Sequence, residues 1–249
     1  MVSFSSVDPM VFDRGGAARR LRLPLTVAAV ALAVFAAYLM KEWHRHSSAR
    51  STAVRLRQVA AYQRQYVPGG ESLANQEIAK RALEEIARVL ERDPSNRPAM
   101  MAAGEINAGR SDAEQARDWY GRLAVIDSSN AAAFAGMSAA SLTRALGAVL
   151  DAESRAGLRP AQWIADQDLR RSLAERWSAE IAKGIDAGSK AVTIDQENEG
   201  AMLTLDAWHR LAADLAASPE ESRQHITSAD EWRRKALDAR RLKAERRSQ

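Results

Sequence analysis

Three four-residue segments of similar composition recur along the chain, and their spacing constrains the fold more than any other feature. They are Asp93-Pro94-Ser95-Asn96, Asp127-Ser128-Ser129-Asn130 and Asp195-Gln196-Glu197-Asn198. Their first residues are 34 and 68 positions apart, and the second interval is twice the first. Each segment interrupts apolar residues at helical spacing with residues that favour turns and helix starts. The fixed interval predicts a chain built from a repeated helical unit.

The stretch from 97 to 130 resembles the tetratricopeptide repeat (TPR), whose period is about 34 residues. It carries the small residue of the first helix at Gly104, the early alanine of the second at Ala116 and the following aromatic at Tyr120. The preceding stretch carries the closing proline, Pro94. The resemblance extends over about residues 70–240 and departs from the pattern between 138 and 180, where residues 142–158 and 163–185 predict longer helices.

This resemblance implies an all-α fold in which two-helix hairpins stack into a TPR-like α-solenoid. Small residues let the two helices of a hairpin approach, and larger apolar residues fill the groove against the next hairpin. An ordinary helical bundle is the alternative fold.

An uncharged run of eighteen residues, LPLTVAAVALAVFAAYLM at 23–40, predicts a single N-terminal transmembrane helix. At 1.5 Å per residue it is about 27 Å long, which is close to the hydrocarbon thickness of a bilayer. A cleavable signal peptide ending near Ala33 is the alternative. Around this span the sequence predicts four other segments: a basic tail at 1–22, a juxtamembrane helix or linker at 41–69, the helical repeats at 70–240 and a basic C-terminal tail at 241–249.

Ala29, Ala33 and Ala37 recur every four residues along the predicted span and form a stripe on which a second transmembrane helix can pack. Three arginines directly precede the span, so the positive-inside rule favours a cytoplasmic N-terminus, although basic residues also follow it. We therefore expect a bacterial inner-membrane protein with a periplasmic C-terminal domain.

The formal net charge of +4 describes no single part of the chain. Residues 1–22, 41–57 and 231–249 are basic, whereas residues 58–230 carry a net charge of −7. An acidic body argues against nucleic acid as a partner. The basic C-terminus predicts a capping helix that docks on protein, with binding to anionic lipid as the alternative.

The residues point to no catalytic centre, cofactor, metal site or small-molecule substrate. The chain has no cysteine, and its close carboxylates, such as Glu84 beside Arg88, have the spacing of surface helix pairs. His44 and His46 have a spacing that can bind a metal, but contact with lipid headgroups or a partner is the favoured interpretation of this pair. The sequence predicts that the protein is not an enzyme.

These features predict a scaffold that is anchored in the bilayer by residues 23–40. It is expected to bind other proteins, namely subunits of a membrane complex, on the first helices of its repeats. Alternative roles are a constitutive accessory subunit of a respiratory or photosynthetic complex, an assembly chaperone for cytochrome or secretion machinery, and an enzyme or sensor. The candidate protein-binding residues are Met100, Asn107, Phe134 and Met202.

Overall fold

The structure is a computed structural model that describes residues 16–158, 164 and 166–248, with the side chains of 16–33 and 44–48 left aside. Every regular element in these ranges is an α-helix, so the all-α prediction is confirmed there. The helices are α1 (Gly16–Gln65), α2 (Leu73–Arg92), α3 (Arg97–Gly109), α4 (Ala113–Ile126), α5 (Ala131–Arg155), α6 (Gln167–Ile194), α7 (Glu199–Leu215) and α8 (Pro219–Arg247).

The chain divides into two compact units, and the first comprises Met1–Ala53. Its described side chains include an apolar run with no cover, since Phe35, Tyr38, Met40 and Trp43 are each more than half exposed. Ala37 is also exposed, whereas the side chains of Ala29 and Ala33 are among those that the structure does not describe. The small-residue stripe therefore stays a prediction.

Among the described residues, α5 is the helix that is long and apolar enough to cross a membrane. The segment at 23–40 does not meet this test, but the structure describes only part of its side chains. Helix α5 owes its hydropathy to the core of the second unit, Val54–Gln249. Its Leu142, Ala145 and Val149 are buried together with residues of α6 and α7. The transmembrane role of 23–40 thus stays a prediction.

The three repeated tetrads form the same helix-to-helix connection. In each one the aspartate ends a helix, and its backbone N–H donates to the carbonyl four residues earlier. The asparagine three residues later caps the next helix, because its Oδ1 accepts a hydrogen bond from a backbone N–H. The capped pairs are Asn96 with Ala99 at 3.1 Å, Asn130 with Ala133 at 3.1 Å, and Asn198 with Ala201 at 3.0 Å.

These connections divide the second unit into hairpins. Helices α3 and α4, of 13 and 14 residues, make one hairpin of the 34-residue period. The doubled interval holds one longer hairpin, because α5 and α6 have 25 and 28 residues. The longer helices predicted between 138 and 180 are therefore present, although Trp163 lies outside the described residues. Together these hairpins make a TPR-like arrangement.

Glycines let aromatic rings enter the packing between helices. The Tyr120 ring of α4 lies against Gly104 of α3 and Gly136 of α5, since a Cβ built on either glycine would come within 2.6 Å of it. The Trp208 ring of α7 lies against Gly184 of α6 in the same way, at 2.2 Å. Small residues therefore set how closely the hairpins approach.

Basic residues near the end of α8 pair with the start of α7 and the connection before it. Arg240 pairs with Glu199, Arg246 pairs with Glu197, and Lys243 donates to the Glu197 carbonyl at 2.6 Å. The segment predicted as a basic tail at 241–249 is helical through Arg247. Part of its charge thus has acidic partners within the same unit.

Candidate protein-docking grooves

An open groove lies between α2 and α4, with α3 as its floor. We call it groove A, and it comprises two adjoining cavities of about 790 and 610 Å³. Helix α2 lines one wall from Leu73 to Glu91, a length of about 27 Å at 1.5 Å per residue. Such a length matches a bound helix of five turns.

The centre of groove A is apolar. Leu83, Ala87 and Leu90 line it from α2, and Trp119 lines it from α4. The Trp119 ring has the guanidinium carbon of Arg122 4.3 Å from its centroid, which leaves a cation over one face of the indole. Tryptophan and arginine are enriched among the residues that dominate binding at protein interfaces.

Arg110, at the C-terminal end of α3, borders both cavities of groove A and a third cavity of about 410 Å³ beside Tyr66. It makes no ion pair with any residue that the structure describes. Burial raises the pKa of the Tyr66 hydroxyl, and the nearby charge of Arg110 partly offsets that increase. Arg110 is therefore an exposed cation where the three cavities meet.

The next hairpin carries an equivalent groove, which we call groove B, between α4 and α6 with α5 as its floor. Its volume is about 390 Å³. Met137 and Ser141 occupy the positions of Ala103 and Asn107, 34 residues later. Similarly, Lys183 and Lys190 lie 68 residues after Gln115 and Arg122 on the wall. The repeat thus produces two versions of one groove with different side chains.

The counterpart of Arg110 contacts Glu180, which lines groove B. Arg144 lies 34 residues later, and its guanidinium donates to Glu180 of α6 at 2.7 Å while lying 5.5 Å from the Trp177 ring centroid. Burial opposes ionisation of Glu180, but the hydrogen bond and charge of Arg144 dominate and lower its pKa. This arginine position therefore has an ionised carboxylate as its partner in groove B.

The four predicted binding residues are all buried, with exposed fractions of 1% for Met100, 4% for Asn107, 7% for Phe134 and 4% for Met202. Asn107 and Phe134 reach the floors of grooves A and B, and Lys190 covers the Phe134 ring at 4.2 Å. Met100 and Met202 instead belong to core clusters. The structure does not bring the four together, and their role in binding stays a prediction.

Arg88 does not pair with Glu84 as the sequence predicted, but with the neighbouring Glu85. Arg88 pairs with Glu85, which is buried and also accepts from Arg55 at 2.6 Å. Glu84 consequently remains on the wall of groove A. Within the described ranges, no three acidic or histidine side chains come together as a metal site would require.

Comparisons with known proteins give no family assignment. No protein-family model matches the chain, and no curated protein matches it. One solved structure that matches is a crystal structure of MamA, which is 17% identical, covers 71% of this chain and 99% of its own, and has a TM-score of 0.27. Another is YrrB, described as a TPR protein with an unusual peptide-binding site, which is 16% identical, covers 68% of this chain and 87% of its own, and has a TM-score of 0.27. These TM-scores are too low to support an argument, so the TPR-like description depends on the repeated connections and hairpins.

Sequence reasoning missed Arg110 and Trp119 as groove residues. A sequence alone does not show which of its tryptophan side chains faces an opening. The 34-residue relation between Arg110 and Arg144 was a usable signal, since it placed an arginine at one repeat position in two hairpins.

Proposed function

We propose that the protein is a membrane-anchored scaffold that binds other proteins in the grooves between its hairpins. The observation that carries this proposal is the repetition of one open groove at equivalent positions of successive hairpins, each with apolar and uncharged polar residues on its floor and charged residues on its walls. Grooves of this kind suit partner helices or extended segments. The candidate partners are subunits of a membrane complex.

The anchor is the second part of the proposal. Residues 23–40 span a bacterial inner membrane, and the unit from Val54 onward lies in the periplasm. Support comes from the uncharged sequence and from the exposed apolar side chains of residues 34–40, which lipid would cover. Anchoring would raise the effective concentration of the domain near membrane partners.

The absence of cysteine permits a direct test of the anchor and its orientation. Single cysteines are introduced as Ser5→Cys and Ser248→Cys, and intact spheroplasts are treated with a membrane-impermeant maleimide. The proposal expects labelling of the second variant alone, with labelling of the first only after permeabilisation. The reverse pattern would overturn the orientation, and release of the full chain by alkaline carbonate would overturn the anchor.

Binding is tested by mild detergent extraction, affinity purification of the full chain and mass spectrometry. Lys183→Glu in groove B should remove defined partners, whereas Arg171→Glu, at an exposed position of the same helix outside the groove, serves as the matched control. A stoichiometric partner would identify a constitutive subunit, and a substoichiometric one an assembly factor. Full retention of every partner by groove variants would contradict the proposed scaffold role.

A further inference from the structure

Arg110 of groove A makes no ion pair with any described residue, whereas the arginine at the equivalent position beside groove B has a carboxylate partner. In groove B, Glu180 meets Arg144 at 2.7 Å. The residue of groove A that corresponds to Glu180 is Asp112, 68 positions earlier. Its side chain is one methylene shorter and caps α4, because Oδ1 accepts from the Gln115 backbone N–H at 3.2 Å. Asp112 therefore does not form the ion pair that Glu180 provides.

From this difference we propose that groove A binds an amphipathic helix of a partner protein that presents a carboxylate to Arg110. The inference rests on the proposed scaffold function and specifies its partner. A carboxylate from outside the chain would take the place that Glu180 occupies in groove B. An arginine guanidinium suits this role because its planar N–H groups bind a carboxylate in a bidentate manner.

The walls of the groove define the rest of the partner. Leu83, Ala87, Leu90 and Trp119 receive an apolar stripe at helical spacing. Glu77, Glu84 and Glu91 follow one another every seven residues along the α2 wall. Glu77 pairs with Arg81 and Lys80 lines the same wall, so the negative charge on that side lies at Glu84 and Glu91. The bound helix thus carries basic residues on its α2 side and its key carboxylate towards Arg110. This asymmetry fixes its direction, because reversing a helix in a groove exchanges its two edges.

The test uses a displayed library of eighteen-residue helical peptides, selected on the full chain in nanodiscs. We expect the selected peptides to share an apolar stripe and one Asp or Glu position. The affinity of a selected peptide should fall at least about tenfold on Arg110→Gln, as expected for loss of a charged hydrogen bond. Arg110→Lys should recover part of it, and the matched exposed variant Arg171→Gln, outside both grooves, should leave it unchanged.

A double-mutant cycle assigns the contact. The peptide with Glu changed to Gln should lose affinity for the wild-type chain but show little further loss on Arg110→Gln, since the two groups act as a pair. Selection of no peptide, or of peptides indifferent to Arg110→Gln, would overturn the inference. If bound peptides or defined partners respond to Lys183→Glu but not to Arg110→Gln, the scaffold function stands and this assignment of groove A falls.

Discussion

The indole Nε1–H of Trp208 donates a hydrogen bond to the hydroxyl of Ser138 at 3.1 Å, and that hydroxyl donates to the Gly184 carbonyl at 2.7 Å. Both side chains are fully buried. One serine thus links α5, α6 and α7 through groups that have no access to water. Removing it would leave a buried donor unsatisfied.

Ser138→Ala should therefore lower the free energy of unfolding by about 1–3 kcal/mol, the usual cost of an unsatisfied buried polar group. Urea titration followed by circular dichroism measures this change. Thr143→Ala removes an exposed hydroxyl from the same helix and should change the free energy of unfolding by less than about 0.5 kcal/mol. Equal effects of the two substitutions would show that the link contributes nothing.

A second prediction concerns the contact between Gly184 and Trp208. Gly184→Ala should destabilise the chain by about 1–3 kcal/mol because the new methyl group would overlap the indole. Gly147→Ala is the matched control, since this helical glycine has open space around its Cβ position. It should stabilise the helix by about 0.5–1 kcal/mol. Thermal unfolding of both variants gives the comparison, and stabilisation by Gly184→Ala would contradict it.

Alkaline stability should depend on Tyr120. Burial, with a smaller contribution from the charge of Glu105, raises the pKa of its hydroxyl to about 12. The unfolded chain ionises this group near pH 10, so its contribution to stability is complete below that pH and is lost as the pH rises towards 12. Tyr120→Phe should flatten this part of the stability profile. Ultraviolet titration of the folded chain should show the late phenolate, and ionisation near pH 10 would be inconsistent with a buried hydroxyl.

Acid stability should depend on Glu153. Burial, followed by the charge of Asp214, raises its pKa, and Oε2 has no hydrogen-bond partner among the described residues. Because the folded pKa exceeds the unfolded value, the contribution of this carboxyl is present at low pH and is lost as the pH rises. Glu153→Gln should therefore stabilise the protein by about 1 kcal/mol at pH 7 and have little effect near pH 4. The exposed control Glu231→Gln should show no such pH-dependent gain in urea titrations.

The histidine pair His209 and His225 should make stability depend on pH in the opposite direction to Glu153. Nδ1 of His209 lies 3.2 Å from Nδ1 of His225, a contact that needs one proton between the two nitrogens. Burial and then the neighbouring His225 lower the pKa of His209. The contribution of His209 to stability is complete above about pH 6.5 and is lost as the pH drops below it. His225→Gln should reduce that loss, as measured by urea titration between pH 5 and 8, and an unchanged slope would refute the role of the pair.

Several features of the fold were predictable because they are local. In each tetrad the backbone N–H of the Asp ends one helix and the side chain of the Asn caps the next, through hydrogen bonds to backbone groups three or four residues away. Tyr120 and Gly104 followed from the repeat pattern, since a large ring needs a small neighbour. The presence of longer helices in the doubled interval between the second and third tetrads was also predictable, because long uninterrupted helical periodicity predicts long helices.

Other features depended on which residues meet across the repeat. Arg88 follows Glu84 by four residues and Glu85 by three, and the sequence does not tell which of the two it pairs with. In the structure it pairs with Glu85, which Arg55 also contacts. Met100, predicted at a binding face, packs in the core because α3 is covered on several sides. Helical periodicity identifies the apolar face of a helix but does not tell how much of it a neighbour covers.

The sequence by itself determined the helical hairpins, their 34-residue period and the uncharged segment near the start, because capping, periodicity and hydropathy are properties of short stretches. The tertiary structure decided which cations have partners. Arg110 and Arg144 occupy the same repeat position, yet of the two, Arg144 alone meets a carboxylate in the part of the chain that the structure describes. The reason is one of reach: Glu180 extends from the longer helix α6, whereas Asp112 is used to cap α4.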